Sequence, residues 1–335
     1  MIEYYKLDDG FIFPVEDPKN IRRDVTWCNL SLDMKDKQQN EEEITIISYK
    51  FDVFIDDLKD VLDITERPRY NFDRIRKNQL LLLRISEDEG EKISTENLSI
   101  PITLPFGIIL TPNGQIITLH YKDRGGMEKL LQYVNKRKIT EPIFLFLELI
   151  QYIFTKLDKI SYKLSQEINE VQESIIEFSK NLKALNKPYI LNSYLIFFNA
   201  ATLGNFNAFR AFMTKNMMYF EQSPELYEKV DDVRIDIEQV VQFSSIYLEQ
   251  VKNLLEQVDM IANNSLNQVL KVVGSISLIV SIPTIIGSFY GMNVALPGGI
   301  PPTPFSAQWV FFLIMGISFS ISFFFWLLFR KLKWL

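Results

Sequence analysis

Two stretches near the end of the chain decide how the rest is read: VVGSISLIVSIPTIIGSFY, residues 272–290, and WVFFLIMGISFSISFFFWLLF, residues 309–329. With the connection between them they make an uncharged run of 58 residues, from Val272 to Phe329. That is far too long for a soluble core helix, and it matches two bilayer crossings of about 20 residues each plus a connection. Of the 36 basic and 42 acidic side chains, only Arg330, Lys331 and Lys333 lie beyond Lys271, so the first 271 residues carry a net charge of −9. The sequence therefore reads as an integral membrane protein, seated in a lipid bilayer, with a large soluble N-terminal part. A net charge of −6 over 335 residues offers no basic footprint for nucleic acid.

Lys271 precedes the first apolar segment, Arg330, Lys331 and Lys333 follow the second, and the connection 291–308 holds no Lys or Arg. The positive-inside rule then puts both termini in the cytoplasm and the connection outside, in a cell (plasma or inner) membrane crossed more than once. One cysteine, Cys28, and one histidine, His120, exclude a disulfide framework and a zinc site built from several Cys or His ligands. Met1 to Lys6 lacks the basic and apolar regions of a signal peptide, which agrees with a cytoplasmic soluble part. His120 ends a predicted strand and reads as an ordinary satisfied or exposed histidine. No Walker, glycine-rich cofactor or Ser/His/Asp constellation appears, so neither an enzyme nor an organic cofactor is expected.

Working back toward the N-terminus, residues 1–140 read as an α/β domain. β-rich runs at Thr26–Leu30, Ile44–Tyr49, Leu80–Ile85, Ile100–Leu110 and Gln115–Tyr121 are bounded by turn residues, and Asn113-Gly114 between the last two is a hairpin signal. Asp52–Asp63 carries a helical apolar stripe. Residues 141–271 read as a stalk of long helices: one from Glu141 to about Leu185 with Pro142 in its first turn, one from Tyr189 to about Phe220, and a third from Glu225 onward. In the third, Val230, Val233, Ile237, Val240, Ser244, Tyr247, Val251, Leu254, Val258 and Ile261 alternate steps of three and four, the seam of a helix packed on other helices. No Gly or Pro interrupts it before Gly274, so it predicts a rod about 97 Å long that runs into the membrane. The remaining segments are a first transmembrane helix at 272–290, an external loop at 291–308, a second transmembrane helix at 309–329, and a basic cytosolic tail at 330–335. The fold class is thus an α/β domain followed by long α-helices and a two-helix transmembrane hairpin.

The first membrane segment is rich in small and hydroxyl residues. Steps of three and four from Asn267 give Asn267, Leu270, Gly274, Ser277, Ser281, Thr284 and Ser288, while Val272, Ser275, Ile279, Ile282, Ile286 and Phe289 make a mostly apolar stripe on another side. A narrow polar stripe in a membrane helix faces either a helix neighbour or water. The soluble seam extends into the apolar stripe through Ile261, Ser265 and Gln268, which leaves the polar stripe to face elsewhere, as in a ring of helices about a symmetry axis. The second segment is bulky and aromatic, with Phe311, Phe312, Phe319, Phe323, Phe324, Phe325 and Trp326, and reads as the outer, lipid-facing helix.

Tyr290-Gly291-Met292-Asn293, at the outer end of the first of two C-terminal membrane helices, resembles the Gly-Met-Asn signature of the CorA magnesium transporter family. Pro283-Thr284, Asn267 through Lys271, the terminal residues from Arg330 to Leu335, and Glu66-Arg67-Pro68-Arg69 in the N-terminal part are also similar to the family. The resemblance is firmest over residues 225–335. It implies a funnel-shaped homopentamer whose first membrane helix lines a pore, with Gly291, Met292 and Asn293 as selectivity filter and with Asn267, Leu270, Val273, Gly274, Ser277, Ser281, Thr284 and Ser288 along the wall. Serines at 277 and 281 replace the bulky apolar rings of some relatives, which leaves Leu270 and Val273 as the constriction. The outer connection has no acidic residue, so an external carboxylate ring is absent. Asp232 matches a carboxylate that binds regulatory Mg²⁺ between subunits, and cation bridging there would hold the funnel closed.

Mg²⁺ dehydrates reluctantly and keeps several waters, so a filter can hold the hydrated ion through neutral acceptors such as five Asn293 amides. Gly291 would permit an unusual backbone at the helix end. The expected activity is channel-like movement of hydrated Mg²⁺ into the cytoplasm down its electrochemical gradient, gated by cytosolic Mg²⁺, with Co²⁺ and Ni²⁺ as further substrates. The rival readings are a zinc transporter of the same superfamily and a membrane-anchored sensor or scaffold that conducts nothing.

Overall fold

The computed structural model describes residues 1–16, 18, 20–86, 103–121, 126–177, 186–292 and 304–334. These divide into two compact units, Met1–Leu255 and Glu256–Leu335.

The first unit is built on a seven-stranded sheet. In chain order its elements are β1 (Ile2–Asp8), β2 (Phe11–Pro14), α1 (Ile21–Asp24), β3 (Trp27–Leu32), α2 (Lys37–Phe51), α3 (Ile55–Lys59), β4 (Arg69–Phe72), β5 (Gln79–Ile85), β6 (Leu104–Leu110), β7 (Ile116–Tyr121), α4 (Gly126–Asn135), α5 (Pro142–Glu177), α6 (Asn186–Phe220) and the first part of α7 (Pro224–Tyr290). The strand order is β2-β1-β3-β7-β6-β5-β4, antiparallel throughout except for β3 against β7. The predicted hairpin at Asn113-Gly114 joins β6 to β7, with Gly114 at φ +78°. A second hairpin, β1–β2, turns at Asp9-Gly10 with both residues at positive φ, the same kind of signal at a place where no strand is predicted.

β3 and β7 are buried on both faces, as a parallel pair inside a sheet requires. One face carries Cys28, Leu30, Leu32, Ile117, Leu119 and Tyr121 against Ile44, Ile47 and Phe51 of α2 and Leu58 of α3. On the opposite face Trp27 Nε1 donates to Thr118 Oγ1, Thr118 Oγ1 donates to Asn29 Oδ1, and His120 Nε2 lies 3.1 Å from the same oxygen. His120 is therefore a buried, partnered core histidine. Burial pushes the Cys28 thiol well above its ordinary range, which keeps it protonated and unreactive.

One predicted strand is a helix. Ile44–Tyr49, rich in β-branched residues, lies inside α2, whose N-cap Asp36 accepts from Gln39 N at 3.0 Å. Ile44, Ile47 and Phe51, at helical spacing, all face the sheet, so burial against β3 and β7 outweighs the local strand preference. Of the run Ile100–Leu110, residues 100–102 lie outside the described residues, as do 178–185 at the end of the first long helix.

α5, α6 and the start of α7 fall in the same unit as the sheet because polar as well as apolar contacts bind them to it. Asn205 of α6, fully buried, accepts from Arg84 N and donates to Arg84 O, both at 2.8 Å, acting as a strand partner for β5. Asn216 donates to Gln79 Oε1 at 2.7 Å. Gly204 lets α6 meet Pro68, whose Cγ would lie 2.8 Å from a Cβ at that position. Arg69 pairs with Asp60 and Glu66, and the Glu66 carbonyl accepts from Arg84. The Glu66-Arg67-Pro68-Arg69 motif is thus a docking element between sheet and α6.

α7 is held on α5 and α6. Lys229 Nζ lies 2.5 Å from both Glu148 Oε1 and Gln151 Oε1, and Gln151 donates to Asp236 at 2.8 Å. Within the first unit the predicted seam is buried at Val230, Val233, Ile237, Val240, Ser244, Val251 and Leu254. Its polar member, Ser244, lies 3.0 Å from Thr202 Oγ1 and 2.9 Å from Asn199 Oδ1.

The second unit holds the rest of α7 and α8 (Pro304–Lys331). Both helices are long and apolar enough to cross a membrane. On α8 the buried positions are Ser318, Ser322 and Phe329, and on the membrane part of α7 Ser275 is buried, so small residues let the two helices approach.

Asn205→Ala would leave the N–H and C=O of Arg84 without partners in a buried place. It is expected to destabilise the first unit by about 2–4 kcal/mol, read as a lowered urea midpoint by near-UV circular dichroism. An unchanged midpoint would show that α6 is docked by apolar contacts alone.

Candidate ion pathway

α7 supplies every described residue of the predicted wall. Asn267, Leu270, Val273, Gly274, Ser277, Thr284 and Ser288 are exposed and Ser281 is half-buried. The complementary stripe behaves differently: Ser275 is buried and Val272, Ile279, Ile282 and Ile286 are half-buried, on the side that meets α8. The apolar stripe from Val272 to Ile286 is thus more covered than the polar one, while Phe289 at its outer end is exposed. Leu270 and Val273 are the bulkiest side chains of the open face at its Lys271 end.

Three hydroxyls on this face have a common orientation. Ser281 Oγ donates to Leu278 O at 2.9 Å, Thr284 Oγ1 to Val280 O at 3.0 Å, and Ser288 Oγ to Thr284 O at 2.8 Å. Each hydrogen is used inside the helix, so what the face offers outward is oxygen lone pairs. A row of neutral acceptors suits a cation that travels with its waters, whose hydrogens point away from the metal.

The helix ends at the predicted filter. Gly291 N–H donates to Gly287 O at 3.0 Å and to Ser288 O at 3.2 Å, and Met292, exposed, closes the last turn on Phe289 O. Among the described glycines only Gly10 and Gly114 have positive φ, and Gly291 continues the helical hydrogen bonding. Asn293, the residue expected to face the ion, lies outside the described residues.

Asp232 is exposed, one residue along from the charge cluster in which Arg234 Nε bonds Asp231 at 2.8 Å and Arg234 Nη1 bonds Glu238 at 2.8 Å. Those hydrogen bonds hold the Arg234 guanidinium above its ordinary pKa, Asp231 contributing most. Asp236 is engaged by Gln151, and Glu167 and Glu170 by Lys187. Among the described residues no group of three or more His, Cys, Asp or Glu is placed to hold a metal ion. Ser275, Ser318 and Ser322, the residues that set the contact between α7 and α8, are missing from the sequence reading of the pathway. The four-residue step between Ser318 and Ser322 is the signal that points to them.

An α/β sheet unit carried on long helices, with two bilayer-length helices of which one leaves a hydroxyl-bearing face open, is the build of a membrane transporter. The chain belongs to the family described as CorA-like Mg²⁺ transporter protein, whose model matches residues 32–331. It is a divalent cation transporter of the CorA family. It is 24% identical over 301 residues to the cobalt/magnesium transport protein CorA of Methanocaldococcus jannaschii, covering 88% of each chain. Its fold is similar to the full-length CmaX protein, with a TM-score of 0.66 at 15% identity over 99% of this chain and 97% of that one. It is also similar to the cytoplasmic domain of ZntB from Vibrio parahaemolyticus, with a TM-score of 0.59 at 13% identity over 78% of this chain and 98% of that one.

Proposed function

We propose that the chain is one subunit of a homopentamer that conducts hydrated Mg²⁺ into the cytoplasm, with Co²⁺ and Ni²⁺ as further substrates. The observation that carries this reading is the acceptor row on the open face of α7, set opposite the stripe that packs on α8. Five such faces about an axis give rings of hydroxyl oxygen at Ser277, Ser281, Thr284 and Ser288, a polar ring at Asn267, and a narrow apolar passage at Leu270, Val273 and Gly274. Gly291, Met292 and Asn293 form the filter, where five amide oxygens at Asn293 receive the waters of the ion. Both termini are cytoplasmic and the connection 291–308 is external, so the inward membrane potential drives uptake by about 2.3 kcal/mol per charge per 100 mV.

The donor set favours the Mg²⁺ reading over the Zn²⁺ one. Zinc prefers nitrogen and sulfur ligands, and the only histidine and the only cysteine, His120 and Cys28, are buried in the sheet. That leaves oxygen donors and the Met292 thioether for the pathway, with no imidazole or thiolate. The name of the archaeal relative, a cobalt/magnesium transport protein, points the same way.

Regulation is assigned to Asp232. Arg234 balances Asp231 and Glu238 and leaves the Asp232 carboxylate uncompensated and exposed. Because the described residues of one chain bring no three-ligand group there, a Mg²⁺ ion at Asp232 bridges two subunits, and its loss returns the like charges to mutual repulsion.

Purified protein in liposomes, loaded with fluorescent reporters, tests the reading: uptake of Mg²⁺ and Co²⁺ is expected, and uptake of Zn²⁺ without Mg²⁺ would establish the zinc reading in its place. Asn293→Ala is expected to lower Mg²⁺ uptake at least about tenfold while the pentamer survives on size exclusion, since one acceptor per subunit is lost at the filter. Asp232→Ala is expected to keep conduction and to need several-fold more internal Mg²⁺ for closure; closure at the wild-type concentration would place the sensor elsewhere.

A further inference from the structure

Pro283 lies inside α7 and has no N–H, so the carbonyl four residues before it, that of Ile279, loses its i+4 helical donor. Water would satisfy such a carbonyl in a soluble helix, but in hydrocarbon it must find a partner in the protein. Ser322 of α8 supplies one: its Oγ donates to Ile279 O at 3.2 Å, and the residue is 7% exposed. The neighbouring α8 serines do otherwise. Ser318 donates to Ile314 O at 2.8 Å and Ser320 to Gly316 O at 2.7 Å, each one turn back along its own helix. Back-bonding is the default for a serine hydroxyl in a helix, and Ser322 departs from it where an acceptor without its i+4 helical donor lies across the interface.

The position of this bond matters for the pathway. Ile279 lies between Ser277 and Ser281, and Pro283 directly precedes Thr284. The interhelical bond therefore falls on the turn of α7 whose opposite side carries the acceptor row, at the one rung that the helix cannot close by itself. We propose that Ser322 is a positioning residue for ion passage: by holding the Ile279 carbonyl that Pro283 frees, it sets the rotation at which Ser281, Thr284 and Ser288 face the ion. The assignment rests on the reading of α7 as pore lining. The hydroxyl does not meet the ion; it acts through α7.

A mutant cycle with two readouts tests it. Full-length protein in liposomes is assayed for Mg²⁺ uptake, and in parallel a Thr284→Cys background is assayed for its rate of labelling by a water-soluble maleimide, Cys28 being buried and inert. Ser322→Ala is expected to lower uptake and to change the labelling rate by about threefold or more, the change that one interhelical hydrogen bond in a bilayer carries. Ser322→Thr should keep both near wild type, while the Ser322→Val variant, which has the shape of threonine without its hydroxyl, should behave like Ser322→Ala. In a Pro283→Ala background, where the restored backbone N–H can close on Ile279 O, Ser322→Ala should change neither readout. An equal effect of Ser322→Ala in both backgrounds, or Thr and Val variants that behave alike, would overturn the proposal. If the wild type takes up neither Mg²⁺ nor Co²⁺, the pore reading fails by itself, and the labelling cycle still decides whether Ser322 sets the rotation of α7.

Discussion

A bilayer offers no water to the backbone, and that constraint shapes the second unit of this protein. Every N–H and C=O in the hydrocarbon must be satisfied by the protein itself, so the uncharged run can cross only as helices. Where Pro283 removes a rung, the missing bond is replaced from α8. On the open face the hydroxyls of Ser281, Thr284 and Ser288 back-bond to their own helix, the default for such side chains, and leave oxygen lone pairs outward.

In the first unit the corresponding problem is the join between sheet and long helices. A helix side has no free backbone groups with which to meet a strand, so side-chain amides substitute for them. Asn205 pairs with the backbone of Arg84 as a neighbouring strand would, and Asn216 reaches Gln79. The charged motif from Glu66 to Arg69 belongs to this join: its Arg69 is neutralised locally and its proline rests on Gly204. A motif that resembles the family's thereby has a structural role that requires no ion.

Several elements were legible because local chemistry specifies them. Asn113-Gly114 favours a tight hairpin in any context, and it joins β6 to β7. The seam of α7 reports burial directly, since apolar side chains at steps of three and four can only line one side, and Ser244 finds its partners there. The helical state of Ile44–Tyr49 was not legible: β-branched runs of that length suit a strand or a buried helix equally, and contact with β3 and β7 decides between them.

The sequence by itself determined two uncharged apolar stretches of bilayer-crossing length, because charge cannot be hidden in hydrocarbon and 58 residues carry none. It also determined the long helices, whose apolar period is a property of the chain alone. Only the tertiary structure decided the order β2-β1-β3-β7-β6-β5-β4, since the β3–β7 pairing joins residues nearly ninety positions apart and no local pattern encodes a partner at that distance. It alone decided, too, that Ser322 rather than Ser318 or Ser320 reaches across to α7: all three are the same side chain on the same helix, and the difference lies in which one meets an acceptor left without its i+4 donor.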